Sequence, residues 1–434
     1  MQSGFDTFIS DTINSYRKSG KPVLLLDTQD SGKAVLAAGA KAWISLRNDR
    51  LETWSEGEEK TVRMCTGDDV WEALKSFQKR HQADIYGYFG YDLKNHTEQL
   101  SSGNPDFADA PDLWLFVPEK TWTLSKESGV IRDENGNIAE PESSSNPPKI
   151  QNFRLWLDED NEAERVRYIE SIITAKKEIY EGDYYEINLS RLVKGRYEGD
   201  PLDLYGAMKS YGPVPFGAYI SVGELSVCCQ SPERFLKRTG SRIISEPIKG
   251  TAPVSGDEQK DEATRKALLN SEKNRAENLM IVDLVRHDFS RIARQGSVKV
   301  SKLFEIRKYR TLFQMVSTVE GEVKPGTDST DIIRECFPMG SMTGAPKISA
   351  MQAIERLENY RRGIYSGAIG YIKADGDFDL NVVIRTAICK SGNLLYAAGG
   401  AITADSDPEE EWEETIVKTR ALRGISGAGK LETK

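Results

Sequence analysis

Residues 368–398 read Ala368-Ile369-Gly370-Tyr371-Ile372-Lys373-Ala374-Asp375-Gly376-Asp377-Phe378-Asp379-Leu380-Asn381-Val382-Val383-Ile384-Arg385-Thr386-Ala387-Ile388-Cys389-Lys390-Ser391-Gly392-Asn393-Leu394-Leu395-Tyr396-Ala397-Ala398. Two tight-turn signals, Ala374-Asp375-Gly376-Asp377 and Lys390-Ser391-Gly392-Asn393, separate apolar runs over 368–373, 380–389 and 394–398. Short Gly-containing turns between such runs join neighbouring strands antiparallel. The stretch therefore predicts an antiparallel sheet, not the parallel sheet of a nucleotide fold. No GxGxxG follows a strand and no GxxxxGK[ST] occurs, in keeping with that reading.

Working outward, further strands are expected at 184–193, 216–222, 226–230 and 242–248. Helices are expected at 161–182, 262–292, 329–336 and 345–357, with another beginning at Asp200-Pro201. The 161–182 helix places Val166, Ile169, Ile172, Ile173 and Ile179 on one stripe and is closed by Gly182. The first 140 residues are mixed. They hold a buried strand at 23–27, a helix over 69–80 with Val70, Leu74 and Phe77 on one face, and an aromatic, Gly-punctuated strand at 85–92. The Ser- and Pro-rich run at 140–148 is the best linker candidate. Three parts follow: an N-terminal segment (1–150) packed into the same globule, a catalytic portion (151–425) and a short tail (426–434).

The chain has 434 residues, 38% hydrophobic and 29% charged, with net charge −9. That suffices for a large core, and the acidic balance argues against nucleic acid as the main partner. No apolar run is long enough to span a membrane, and Met1-Gln2-Ser3-Gly4-Phe5-Asp6 lacks the start of a signal peptide. The cysteines, Cys65, Cys228, Cys229, Cys336 and Cys389, are odd in number and form no CxxC, which reads as reduced thiols of a cytoplasmic protein. Only His81, His96 and His287 occur, so a histidine-rich zinc site and a serine–histidine hydrolase are disfavoured. Acid–base chemistry falls to carboxylates, lysine and tyrosine.

Several residues fit such chemistry. Lys249, in Glu246-Pro247-Ile248-Lys249-Gly250-Thr251, follows a strand-like run. Burial there would lower its pKa and make it a nucleophile or base; a solvated strand-edge lysine is the plainer alternative. Glu233, in Ser231-Pro232-Glu233-Arg234, follows a strand and suits a general acid, or else pairs with Arg234 or Lys237. Glu277 lies about one helical turn from Met280 and Ile281, at the border of the buried face or else on the helix surface. Glu411, Glu414 and Lys418 share a face of the last helix; they could hold Mg²⁺ beside a carboxylate or form a solvated ionic stripe. Arg385, in an apolar strand, calls for an anionic partner. Gly399, Gly400 and Ala401 follow a strand and let backbone N–H groups approach a carboxylate.

These residues lie in longer motifs. They are Ser231-Pro232-Glu233-Arg234-Phe235, Pro247-Ile248-Lys249-Gly250-Thr251, Glu277-Asn278-Leu279-Met280-Ile281-Val282-Asp283-Leu284, Val316-Ser317-Thr318-Val319-Glu320-Gly321, Phe337-Pro338-Met339-Gly340-Ser341-Met342-Thr343-Gly344-Ala345-Pro346-Lys347 and Tyr365-Ser366-Gly367-Ala368-Ile369-Gly370-Tyr371. Together they closely resemble the chorismate-utilising enzymes, strongly over about 160–425 and weakly before. The resemblance implies an α+β fold of large antiparallel β-sheets flanked by helices. It also implies Mg²⁺ on Glu277 and Glu414 with Glu411 close by, binding the ring carboxylate of chorismate. Arg385, Tyr365 and the Gly399–Ala401 backbone would grip the enolpyruvyl carboxylate, Lys418 and Thr251 would complete the polar shell, and Glu233 would protonate the departing 4-hydroxyl.

Three positions discriminate within the family. Lys249 resembles the aminodeoxychorismate synthase component I branch, where that lysine is thought to attack the ring before ammonia does; most other branches hold alanine. Glu186 stands where water-using members typically hold a lysine and amine-using members glutamine. Gln314 stands where the family usually has a histidine linked to pyruvate elimination. The resemblance thus implies amination of chorismate to 4-amino-4-deoxychorismate, toward 4-aminobenzoate and folate, with ammonia from a separate glutamine amidotransferase subunit. The rival readings are an anthranilate synthase component I and a silent chorismate- or tryptophan-binding regulatory subunit.

Overall fold

The structure, a computed structural model, describes residues 2–28, 32–139, 153–158, 162–212, 214–309 and 312–428. Among these residues the strands form two large sheets, one of 11 strands and one of 12, with every neighbour pair antiparallel. The 368–398 stretch forms hairpins as its turns demand. Ala368–Ile372 pairs with Phe378–Asn381, and Thr386–Lys390 pairs with Asn393–Ile402. The two hairpins belong to different sheets. The expected single strand over 380–389 is therefore broken. The chain leaves the 12-stranded sheet after Asn381 and enters the 11-stranded sheet at Thr386, and Arg385 takes a left-handed φ of 52° at the crossing.

Strands from the first 140 residues are hydrogen-bonded into both sheets. Val23–Thr28 pairs with Phe216–Val222, and Ile85–Phe89 pairs with Ala368–Ile372. The sheets pack face to face. Leu24, Leu26, Ala218 and Ile220 from one share a buried cluster with Tyr86, Tyr88, Trp114 and Phe116 from the other. Val23 and Leu25 point the opposite way, into a second cluster with Ile9 and Ile13 of the N-terminal helix and Leu204 of the Pro201–Tyr211 helix. A strand covered on both faces needs a continuous apolar run, which Val23-Leu24-Leu25-Leu26 supplies. Each fully buried leucine contributes roughly 2 kcal/mol. Helices Asp68–His81, Glu272–Ile292 and Ser329–Cys336 cover the outer face of the 12-stranded sheet through Val70, Leu74, Phe77, Ile281, Val285 and Ile332.

Other expectations shift in detail. The helix read over 262–292 is two, Glu258–Asn270 and Glu272–Ile292, because the Ser271 hydroxyl accepts from the Asn274 N–H and starts a new helix. The 242–248 strand splits into Arg242–Glu246 and Ile248–Pro253. Helix Glu162–Glu181 forms, but it buries Tyr168, Ile172 and Ala175 while Val166 and Ile173 face outward. Three residues per two turns suffice to seat it, so the remaining apolar positions are not needed inside. All five cysteines are free and buried. The 140–148 segment and residues 429–434 of the tail lie outside the described residues; 420–428 are helical. Among the described residues no helix is long and apolar enough to cross a membrane.

Candidate active site

Two chain crossings between the sheets build one wall of the site. Strand Leu225–Ser231 of the first sheet runs through Pro232 and Glu233 into strand Arg234–Thr239 of the second, and Val382–Arg385 makes the return crossing. The crossings are stitched together: the Gln230 N–H donates to the Arg385 carbonyl (3.2 Å) and the Val382 N–H to the Glu233 carbonyl (3.0 Å). The Glu233 N–H donates to the Ser231 hydroxyl, which fixes the turn. Arg234 is bound by Glu246 and Asp379, and Lys237 lies 3.6 Å from Asp379. Neither neighbour pairs with Glu233. Its buried carboxyl is instead pushed up to about 7 by burial, against the opposing pull of the Ser341 hydroxyl, the Lys249 charge, the Ile248 N–H and the Arg385 charge. Such a group holds a proton near neutral pH and can deliver it.

Arg385 stands on a crossing rather than inside a strand. Its guanidinium makes no hydrogen bond or ion pair to any described residue; burial lowers its pKa, with Tyr396 and Glu233 opposing. An unpaired, largely desolvated guanidinium is a ready carboxylate anchor. Strand pairing on the neighbouring side of Asn393–Ile402 stops at Tyr396, so 397–402, with Gly399, Gly400 and Ala401, keep one edge without a strand partner. Tyr365 is buried, with burial foremost in raising its pKa to about 12, so it stays a neutral donor.

Lys249 enters from the 12-stranded sheet. The pairing register of Ile248–Pro253 slips between Ile248 and Thr251, a bulge that re-aims the intervening side chain. Gly250 makes the bulge possible: its φ is 82°, and a Cβ there would lie 2.8 Å from Cγ of Asn274. The Lys249 amine donates to Oε1 of Glu186, 2.8 Å away at the start of the Glu186–Glu198 strand of the other sheet. The lysine is buried, yet the expected fall in its pKa does not occur. Burial alone would depress it, but Glu186, Glu277 and Glu233 together outweigh burial and hold it above the ordinary lysine value. Lys249 is an ammonium at rest.

The acidic side chains lie opposite. Glu277 is 8% exposed, and its Oε1 has no hydrogen-bond partner among the described residues; burial foremost raises its pKa, and Glu186 and Glu411 add to this. Glu411 is buried and accepts from the Ser406 hydroxyl (2.9 Å), with Lys273 at 3.5 Å. Glu414 is more exposed and pairs with Lys418 at 2.5 Å. Gly400 faces both acids: a Cβ on it would lie 2.9 Å from Oε2 of Glu411 and 3.3 Å from Oε1 of Glu414. Lys249's charge acts on Glu277 and Glu414 alike, so all belong to one site.

The donor set fits a hard divalent cation. It is all carboxylate oxygen, with one buried acceptor unpartnered and a side-chain-free strand beneath the other two. Among the described residues no three acidic, imidazole or thiol groups stand at metal-ligand spacing.

Lys418 and Thr251 are placed less centrally. Lys418 is engaged by Glu414 and by the Gly399 carbonyl (2.6 Å), and so braces the strand. Thr251 is exposed and pairs across the sheet with Gln314. Gln314 is 1% exposed, with neither amide atom hydrogen-bonded to a described residue. Sequence reasoning assigned no role to Lys273 or Ser341. Lys273 sits four residues before Glu277 on the same helix, a spacing that puts both on one face. Ser341 gave no local sign, because its link to Glu233 spans distant segments.

The sequence model for chorismate binding enzymes matches residues 21–424. Anthranilate synthase component 1 of Aquifex aeolicus is 31% identical over 94% of this chain and 89% of its own length. Aminodeoxychorismate synthase component 1 of Escherichia coli is 35% identical over 85% and 84%. The crystal structure of anthranilate synthase component I from Streptococcus pneumoniae superposes with a TM-score of 0.75 at 25% identity, covering 90% of this chain and 92% of that one. The family model's match over 21–424 spans both sheets and every motif of the site, and the chain belongs to the chorismate binding enzyme family.

Proposed function

We propose that this chain converts chorismate and ammonia to 4-amino-4-deoxychorismate, as the name of its Escherichia coli relative suggests. The observation that carries the reading is Lys249: a buried amine bonded to Glu186 and within the electrostatic reach of Glu233 and Glu277. Gln314 supports it, since an amide does not titrate near neutral pH and cannot act as acid or base in a later elimination.

In this reading Arg385, Tyr365 and the open 399–401 strand edge hold the enolpyruvyl carboxylate. Glu277 and Glu414, with Glu411 beside them, would hold Mg²⁺, which when bound would supply positive charge for the ring carboxylate. The Lys249 amine forms a bond to C2 while the ring double bonds shift and the C4–O bond breaks. Glu233 gives its proton to the departing hydroxyl, which leaves as water. Ammonia then bonds to C4, the double bonds shift back, and Lys249 leaves C2 with the electron pair of its own bond. Ammonia is supplied by a separate glutamine amidotransferase subunit in the cytoplasm, and the product feeds 4-aminobenzoate and folate formation. Lys249 must first lose the proton its acidic neighbours hold on it.

The test is mass spectrometry of the product from purified chain, chorismate, an ammonium salt and Mg²⁺. 4-Amino-4-deoxychorismate is expected, and Lys249→Ala should lower its formation by more than ~100-fold. Anthranilate formed without an added lyase would favour the reading suggested by the Aquifex relative instead.

A further inference from the structure

We propose that Glu186 is the base that takes the proton from Lys249 and so produces the nucleophile. The inference rests on the covalent role of Lys249 in the preceding reading. Nζ of Lys249 and Oε1 of Glu186 are 2.8 Å apart, and both side chains are buried. They come from different sheets, 63 residues apart in the chain, and meet only because the 249–250 bulge turns the lysine inward. Oε2 of Glu186 has no hydrogen-bond partner among the described residues, so the carboxylate is not held in place by other donors. A buried ion pair that served only for stability would have its remaining lone pairs satisfied.

The step balances. One proton passes from Nζ to Oε1, giving a neutral amine and a neutral acid. The amine lone pair forms the N–C2 bond, and the proton on the departing oxygen comes from Glu233. When Lys249 leaves C2 as a free amine, Glu186 returns the proton and the pair is reset. Glu233 regains its proton from solvent, which also takes the proton released when ammonium becomes ammonia. The charged groups in reach of Lys249 are Glu277 of helix Glu272–Ile292, Glu233 of the crossing and Glu414 of helix Pro408–Lys418, and Lys273 and Glu411 act in turn on Glu277. The wild-type transfer is internal, so it does not draw on hydroxide. An amide at 186 could accept a hydrogen bond but not the proton.

The experiment compares wild type, Glu186→Gln and Glu186→Asp as full chains with chorismate, Mg²⁺ and ammonium chloride from pH 6.5 to 9.5. Taking the ratio of variant to wild-type kcat cancels the titration of Glu233. Glu186→Gln also removes the chief charge that holds the proton on Lys249, so the ratio should be lowest at pH 6.5 and rise with pH until Lys249 is itself deprotonated. The KM for ammonium should stay within about threefold, and Glu186→Asp should restore part of the rate at pH 7. A wild-type kcat in Glu186→Gln, a loss that does not change with pH, or a loss confined to the KM for ammonium would overturn the proposal; the last would make Glu186 an ammonium-binding group. Folding of each variant is checked by its melting temperature. If Lys249→Ala keeps full activity the covalent reading itself fails, whereas loss there with a normal Glu186→Gln sinks only the role of Glu186.

Discussion

Two buried ion pairs in this molecule look alike and do opposite things. Arg362 and Glu358 lie four residues apart in the segment that follows helix Lys347–Leu357, 2.6 Å at closest, each almost without exposure. Every polar direction of that pair is engaged: Arg362 also donates to the Met342 and Asn188 carbonyls and the Ser366 hydroxyl, and Glu358 accepts from the Ser190 N–H and hydroxyl. Lys249 and Glu186 are also buried and 2.8 Å apart, yet Oε2 of Glu186, Oε1 of Glu277 and both amide atoms of Gln314 have no hydrogen-bond partner among the described residues. Saturation marks a pair that holds the fold. Unfilled hydrogen-bonding capacity marks a pair that waits for a ligand.

The sharpest way to break this contrast is stability. Arg362→Met should cost about 3–5 kcal/mol, because it strands Glu358 as a buried charge; urea denaturation reads it directly. A loss below about 1 kcal/mol would remove the structural half of the comparison. Next comes Glu233→Gln, which should lower kcat by ~100-fold or more with little change in melting temperature. In the wild type the acid must be protonated. Burial holds its pKa at about 7, so its proton-donating form falls away as pH rises through that value, and with it kcat. A wild-type kcat still rising between pH 7 and 9 would contradict the assignment. The smallest effect belongs to Gln314→Met. Its amide holds nothing among the described residues, so stability should stay within about 1 kcal/mol of wild type, while the KM for chorismate should rise roughly fivefold. A strongly destabilised Gln314→Met variant would place Gln314 with Arg362 instead.

Much of this was legible in the chain. The Asp375-Gly376 and Ser391-Gly392 turns announced antiparallel hairpins, and they form. Asp200-Pro201 started a helix, with the Asp200 carboxylate accepting from the Leu202 N–H. What failed depends on contacts between distant segments. Residues 380–389 are mostly apolar and carry no Gly or Pro, so nothing local says that the chain changes sheets at Arg385. The charge of Lys249 was misjudged for the same reason: its apolar neighbours in sequence suggest a depressed pKa, but its neighbours in space are Glu186, Glu277 and Glu233. The acids and Arg385 were individually visible as motif residues; their relative placement was not.

The stitched crossings carry a mechanical corollary. Glu233 and Arg385 ride on two short segments clamped to each other by backbone contacts, so they form a single stiff lever at the seam between the sheets. Any breathing of one sheet against the other must swing both side chains in step. The gap between proton donor and cation then stays constant, whereas Lys249, whose backbone belongs to one sheet, is tied to the other through its bond to Glu186.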